Sequence, residues 1–250
     1  MYDPASEPHA IAVPRPVLPV DRLAALVEVV ICSGFPSQIV LIVILRGFGL
    51  HMTSPDGRLS PPFVFTVSML DAILVVTLVV FFLRVHHESP REVLFGRRPV
   101  VREALFGVAI LPAVFMFVMI VLMLLLQYAP QLHNVTRNPL EDMLRTRRDA
   151  VVFAIVVMIA GGVREEVQRG FIAHRFTQYL GGGALGVVIY SFFFGLGHIE
   201  QGYDAMIATG ILGLIWGFLY LGRRSIVAPM VSHAGFNVAQ LLKYLAFATR

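Results

Sequence analysis

Apolar residues run along this chain in blocks of about twenty, separated by short clusters of proline, glycine and charge. At 1.5 Å per residue such a block makes a helix long enough to cross a hydrocarbon core about 30 Å thick. The first block runs from about Leu23 to Leu45, with Glu28 and Pro36 inside it. A polar loop, His51 to Pro62, carries the turn signal Pro55-Asp56-Gly57 and leads to a second block, Phe63 to Leu83, interrupted by Asp71. The connector from Arg84 to Glu103 sets Val93, Leu94 and Phe95 among arginines, the pattern of a short amphipathic helix at the membrane interface. A third block, Ala104 to Tyr128, has no charge after Glu103 and reads as plain lipid-facing structure.

Beyond a second polar connector, Ala129 to Asp149, ionisable groups enter the apolar blocks. The fourth begins at Ala150 and runs into Arg164, Glu165, Glu166 and Arg169, and the glycines at 181–183 separate it from a fifth, Ala184 to His198. A sixth spans about Ala205 to Leu221 and a seventh about Ile226 to Phe247. The expectation is an all-α, polytopic transmembrane helix bundle of about seven spans. Residues 1–21 are expected to form a mobile tail, 22–148 the N-terminal helices and connectors, and 149–250 a C-terminal core. Strict up-and-down alternation would put Glu165 and His198 near opposite membrane faces. A single long, tilted helix from about Asp149 to Tyr179, with Glu165 near its middle, is the expected way for them to meet.

Composition supports the membrane reading: 57% of residues are hydrophobic, 14% are charged and the mean hydropathy is +0.76. A soluble domain carries about 25% charged residues, so the composition argues against a water-soluble fold. The net charge of +4 reflects loop arginines that meet anionic lipid, and no basic stripe with interleaved aromatics suggests nucleic acid. The single cysteine, Cys32, provides neither an internal disulfide nor a cysteine-based zinc site. Residues 1–21 hold Asp3, Glu7 and five prolines, and do not read as a cleavable signal, so the first block is expected to act as the insertion signal. The expected location is a multi-pass integral membrane protein, in the plasma membrane if the host is bacterial.

A charge at bilayer depth costs roughly 2.5–3.5 kcal/mol on insertion scales, so each intramembrane ionisable residue needs a partner or a task. Three clusters fit that description. In Glu165-Glu166-Val167-Gln168-Arg169, both glutamates lie one helical turn from Arg169, so the arginine can neutralise part of the pair and leave one carboxylate free as a base. Read alone, the same residues make an Arg-Glu ladder where a helix leaves the membrane. In Phe194-Gly195-Leu196-Gly197-His198, Phe194 and His198 share a face and the glycines permit close approach. In His233-Ala234-Gly235-Phe236-Asn237, His233 and Asn237 share a face inside an apolar block. Singly, these could be hydrogen-bonding groups that hold helices together.

Taken in order, a Glu pair followed by Arg, then Phe-x-x-x-His, then His-x-x-x-Asn, each on its own apolar block, resembles the CPBP family of CAAX prenyl endopeptidases and bacteriocin-immunity (Abi) proteins. The resemblance covers roughly residues 149–248. One departure is that two residues, Val167 and Gln168, precede Arg169, where the family usually has three. The resemblance implies an intramembrane endopeptidase acting on a peptide or protein substrate, lipidated tails included. Carried over by position, Glu165 is the catalytic glutamate and Glu166 its partner, with His198, His233 and Asn237 completing the site and Arg169 and Phe194 supporting it. It also raises zinc as a cofactor, held by His198, His233 and Glu165, and the sequence leaves metal-bound and metal-free hydrolysis open. Two rival readings are a proton-coupled membrane transporter, since buried Glu and His also form proton relays, and a catalytically silent immunity or scaffold protein.

Overall fold

Proline at a helix start and glycine at a helix break set most of the element boundaries. The computed structural model describes residues 16–136, 138–144 and 146–247. The expected N-terminal tail lies largely outside them, and Pro19 already opens the first helix. That helix, α1 (Pro19–Ile31), and α2 (Phe35–Gly47) divide what the sequence presents as one block. Gly34 adopts φ +83° between them, and Pro36 follows in the first turn of α2. A left-handed residue ends a helical path, and the two helices meet at 42°.

The following helices are α3 (Pro61–Val85) and α4 (Val100–Tyr128), with a π-helical turn at Arg91–Phe95 between them. That turn is no free interfacial helix. Its Leu94 is buried in the main core, and its carbonyl accepts a 2.8 Å hydrogen bond from the Ile226 amide. Then come α5 (Arg147–Val157) and α6 (Glu165–Tyr179), joined by a seven-residue π-helical stretch, Met158–Arg164. Thr146 and Asp149 cap the start of α5 reciprocally, the Asp149 amide donating to Thr146 Oγ1 at 3.1 Å and the Thr146 amide to Asp149 Oδ2 at 2.9 Å. The junctions at both ends of the π stretch keep right-handed helical dihedrals, so helix runs from Arg147 to Tyr179. The expected long helix is present, with Glu165 just past its middle.

The last helices are α7 (Gly183–Leu196), α8 (Tyr203–Arg223) and α9 (Val227–Phe247). The fold is an all-α bundle, while the expected seven spans are not confirmed. Among the described residues α3, α4 and α8 are each long and apolar enough to cross a membrane, and the bent α1–α2 pair makes a fourth. Helix α7 is apolar but only 14 residues long, about 21 Å at the helical rise, because it stops before Gly197. The α5–α6 helix has the length, but its charges remove it from that set.

α6 forms the axis of the molecule. From Glu166 to Ala173 every side is buried, as are Arg175 and Phe176, with α1, α3, α7 and α8 packed around it. α9 lies along the π stretch and α4, where Gly107 faces the Ala228 carbonyl and Gly162 faces Ala234. By contrast α4 exposes most of its apolar surface, as expected of a lipid-facing helix.

Candidate active site

The π stretch sets the direction of the glutamates. Seven residues of wider helix shift the register before Glu165, and Gly161 and Gly162 allow α9 to come close. A Cβ at Gly161 would lie 2.5 Å from Asn237 Nδ2 and 3.9 Å from His233 Nε2. Asn237 and His233 therefore face the turn that delivers Glu165.

Glu166 is fully buried and committed. Its Oε1 accepts from Arg169 Nη1, one turn along α6, and from His233 Nδ1 at 2.8 Å. With Nδ1–H donating to Glu166, His233 turns Nε2 toward Glu165 Oε2, 3.7 Å away. Glu165 differs in that 16% of its side chain is exposed, against 1% for Glu166, and it makes only long contacts, to His233 and to Arg164 Nη1 at 3.7 Å. Of the two carboxylates, Glu165 has the accessible oxygens and Glu166 is the structural partner of Arg169 and His233.

Aromatic rings fix the remaining orientations. His233 stacks on Trp216 with centroids 3.8 Å apart, and Trp216 Nε1 donates to Ser232 Oγ at 3.3 Å. The Arg169 guanidinium lies 5.0–5.7 Å from the centroids of Phe194, Tyr190 and Trp216, an aromatic cage that compensates a cation out of water. Phe194 also meets the imidazoles of both His198 and His233 edge-on, at 5.0 and 6.1 Å.

His198 is placed differently from the expectation. It sits where α7 ends, half-buried, with Nδ1 on the Phe194 carbonyl at 2.9 Å. The structure brings Glu165, Glu166, Arg169, His233 and Asn237 together directly, and His198 joins them only through Phe194.

Zinc needs three or four donors at about 2.0–2.3 Å. Among the described residues no three His, Cys, Asp or Glu side chains converge in that way. Both ring nitrogens of His233 face carboxylates, and His198 faces a carbonyl, so the expected trio of His198, His233 and Glu165 does not fit the ion in this arrangement.

Several site-supporting residues carry no local signal. Arg164 pairs with Asp71 of α3, whose carboxylate also accepts from Ser37 Oγ at 2.5 Å and Gln38 Nε2 at 3.3 Å, both on α2. Gln168 donates to the Cys32 carbonyl at 2.6 Å and accepts from Tyr190 Oη at 2.8 Å. Asp71 stands out in the sequence as a lone charge in an apolar block, but its partner lies 93 residues away and belongs to tertiary structure.

Residues 147–239, from α5 into α9, match the family model described as type II CAAX prenyl endopeptidase Rce1-like. This segment is similar to that family. The match supports the CPBP family, and it spans all five residues of the directly assembled cluster together with His198 and Phe194. It also supports a protease of the CAAX type in an integral membrane protein, since the Rce1-like segment is packed among apolar helices. No curated protein and no solved structure matches the chain.

Proposed function

We propose that this chain is an intramembrane endopeptidase that cleaves near the C-terminus of lipid-tailed proteins, using water activated by Glu165. The observation that carries the proposal is the division of labour between adjacent carboxylates. Glu166 is locked by Arg169 and His233, whereas Glu165 keeps accessible oxygens beside His233 Nε2 and Asn237.

In the reaction, a Glu165 oxygen takes a proton from water as the water oxygen attacks the scissile carbonyl carbon. The negative charge that develops on the carbonyl oxygen is met by the Asn237 amide, a neutral donor already aimed at this turn; one such donor is worth about 10²–10³ in rate. As the C–N bond breaks, protonated Glu165 returns its proton to the leaving amine, which leaves a free carboxylate and an amine. His233, held by Glu166 and stacked on Trp216, forms the wall beside Glu165, with Nε2 3.7 Å from its Oε2. His198, at the end of α7, supports the face presented by Phe194. No step runs through a metal.

The test is cleavage of synthetic peptides ending in a prenylated cysteine and three further residues, with purified protein in micelles and with and without a chelator. Glu165→Gln should lower turnover by at least about 10²-fold while the protein remains folded. Cleavage by that variant at the wild-type rate would refute the assignment. Loss on chelation with recovery on adding zinc would refute the metal-free route and return the imidazoles to the role of ligands.

A further inference from the structure

On the opposite side of the bundle from the α5 start, the π turn at Arg91–Phe95 docks beside the α8–α9 junction and leaves an open cavity of about 440 Å³. That volume lies within the range of small-ligand pockets. Its walls carry Arg97, Arg98, Arg223 and Arg224, with Glu92 as the one acidic residue. Of these arginines, Arg223 is taken up by Glu103, to which Nε and Nη2 donate at 2.6 and 2.7 Å. Arg98 donates Nε to the Arg223 carbonyl at 3.2 Å and lies 4.0 Å from Glu103. Among the described residues Arg97 and Arg224 have no ion pair, and both are exposed, so the cavity holds an excess of positive charge.

The cavity is built rather than incidental. Gly96 (φ +63°) lies on the Arg224 carbonyl so closely that a side chain there would collide, and Arg224 is itself left-handed at φ +54°. Tyr220 Oη donates to the Val93 carbonyl at 3.0 Å, and the Ile226 amide donates to the Leu94 carbonyl at 2.8 Å. These bonds fix the two walls against each other.

Its position specifies the ligand. α8 ends at Arg223 and α4 begins at Val100, and both helices are candidate membrane spans, so the arginines sit at the level of lipid headgroups. Immediately below, α4 exposes Val101, Leu105 and Val108. Exposed guanidiniums above an apolar helix face complement an amphiphile with an anionic head and apolar chains. We propose that this cavity binds the headgroup of an anionic phospholipid, with Arg97 and Arg224 on the phosphate and the acyl chains along α4.

The full-length protein in detergent micelles would be titrated with phosphatidylglycerol, phosphatidylcholine and inorganic phosphate, and bound ligand read by native mass spectrometry and by the shift in unfolding temperature. Phosphatidylglycerol should be retained at least about tenfold more tightly than phosphatidylcholine, and Arg97→Gln/Arg224→Gln should remove that preference. Arg58→Gln, at the other end of α3, should leave it intact. The single Arg97→Gln, on an exposed side chain, carries the test if the double variant does not fold. Equal retention of the two lipids, or an undiminished preference in the arginine variants, would overturn the proposal. So would inorganic phosphate binding as tightly as the lipid, which would reassign the cavity to free phosphate.

Discussion

Asp71→Ala should destabilise the protein far more than the loss of one side chain suggests, and Arg164 is the reason. Asp71 is 2% exposed and Arg164 8%, so the pair is held away from water. Removing the carboxylate leaves a buried guanidinium with, among the described residues, Glu165 as its one remaining acid, 3.7 Å away. Stranding a buried charge in this way costs about 3–5 kcal/mol. The hydroxyl of Ser37, deprived of the Asp71 carboxylate, can turn its proton to the Gly34 carbonyl 2.9 Å away and adds little to the loss. At 2–4 °C per kcal/mol for a chain of this size, the unfolding temperature in micelles should fall by roughly 6–20 °C. Replacing both partners by apolar residues, Asp71→Leu with Arg164→Met, removes the stranded charge and should restore most of that drop. If Asp71→Ala unfolds with the wild type, or if the double variant is no more stable than the single, the pair does not hold α3 to the helix that carries Glu165.

Three further outcomes test neighbouring parts of the site and the fold. Gly161→Ala would place a methyl 2.5 Å from Asn237 Nδ2, so peptide cleavage should fall by about tenfold or more while circular dichroism stays unchanged; full activity would remove Asn237 from the mechanism. Arg169→Lys keeps the charge but loses the flat guanidinium lying among Tyr190, Phe194 and Trp216, and should cost about 2 kcal/mol in denaturant unfolding, whereas an unchanged midpoint would deny the cage its role. Glu88, in the loop after α3, is pushed up by burial but held down to about 2 by hydrogen bonds from His174, Arg175 and Gln178. A depressed carboxyl stabilises the fold above its unfolded value near 4.5 and loses that contribution as pH falls toward 2. Wild type and Glu88→Gln should therefore differ most in unfolding temperature above about pH 5 and converge toward pH 2, and a difference independent of pH would contradict the assignment.

The parts of this structure that were legible in the sequence are those set by local rules. α3, α4, α8 and α9 begin and end within a few residues of the apolar blocks that predict them, because proline, glycine and charge punctuate them. The continuous helix through Glu165 followed from requiring Glu165 and His198 to meet, although its π stretch leaves no trace in hydrophobic periodicity. The split of the first block was hidden because an apolar run reads the same on either side of a bend, and only the left-handed Gly34 marks it. Helical spacing put His233 with Asn237, and the Glu pair with Arg169, on shared faces, and it was the family resemblance that grouped them into one candidate site. The placement of His198 was not legible, because it depends on where α7 stops and on which way its ring turns to find the Phe194 carbonyl.

What lay beyond sequence reasoning is the dependence of the Rce1-like segment on the helices before it. Residues 147–239 bring several polar groups into the bundle, and three of them find partners outside the matched region. Arg164 is met by Asp71, Gln168 donates to the Cys32 carbonyl, and Arg175 donates to Glu28 at 2.6 Å and also to Glu88. All three lie on or next to α6, at intervals of four and seven residues, so they mark one stripe of that helix turned toward α1 and α3. Leaving such groups unpartnered at bilayer depth costs several kcal/mol each, more than the net stability of many domains in total. The N-terminal helices therefore do more than anchor the chain, for they supply the counter-charges that let a helix this polar lie at the centre of an apolar bundle with Glu165 left partly exposed beside His233.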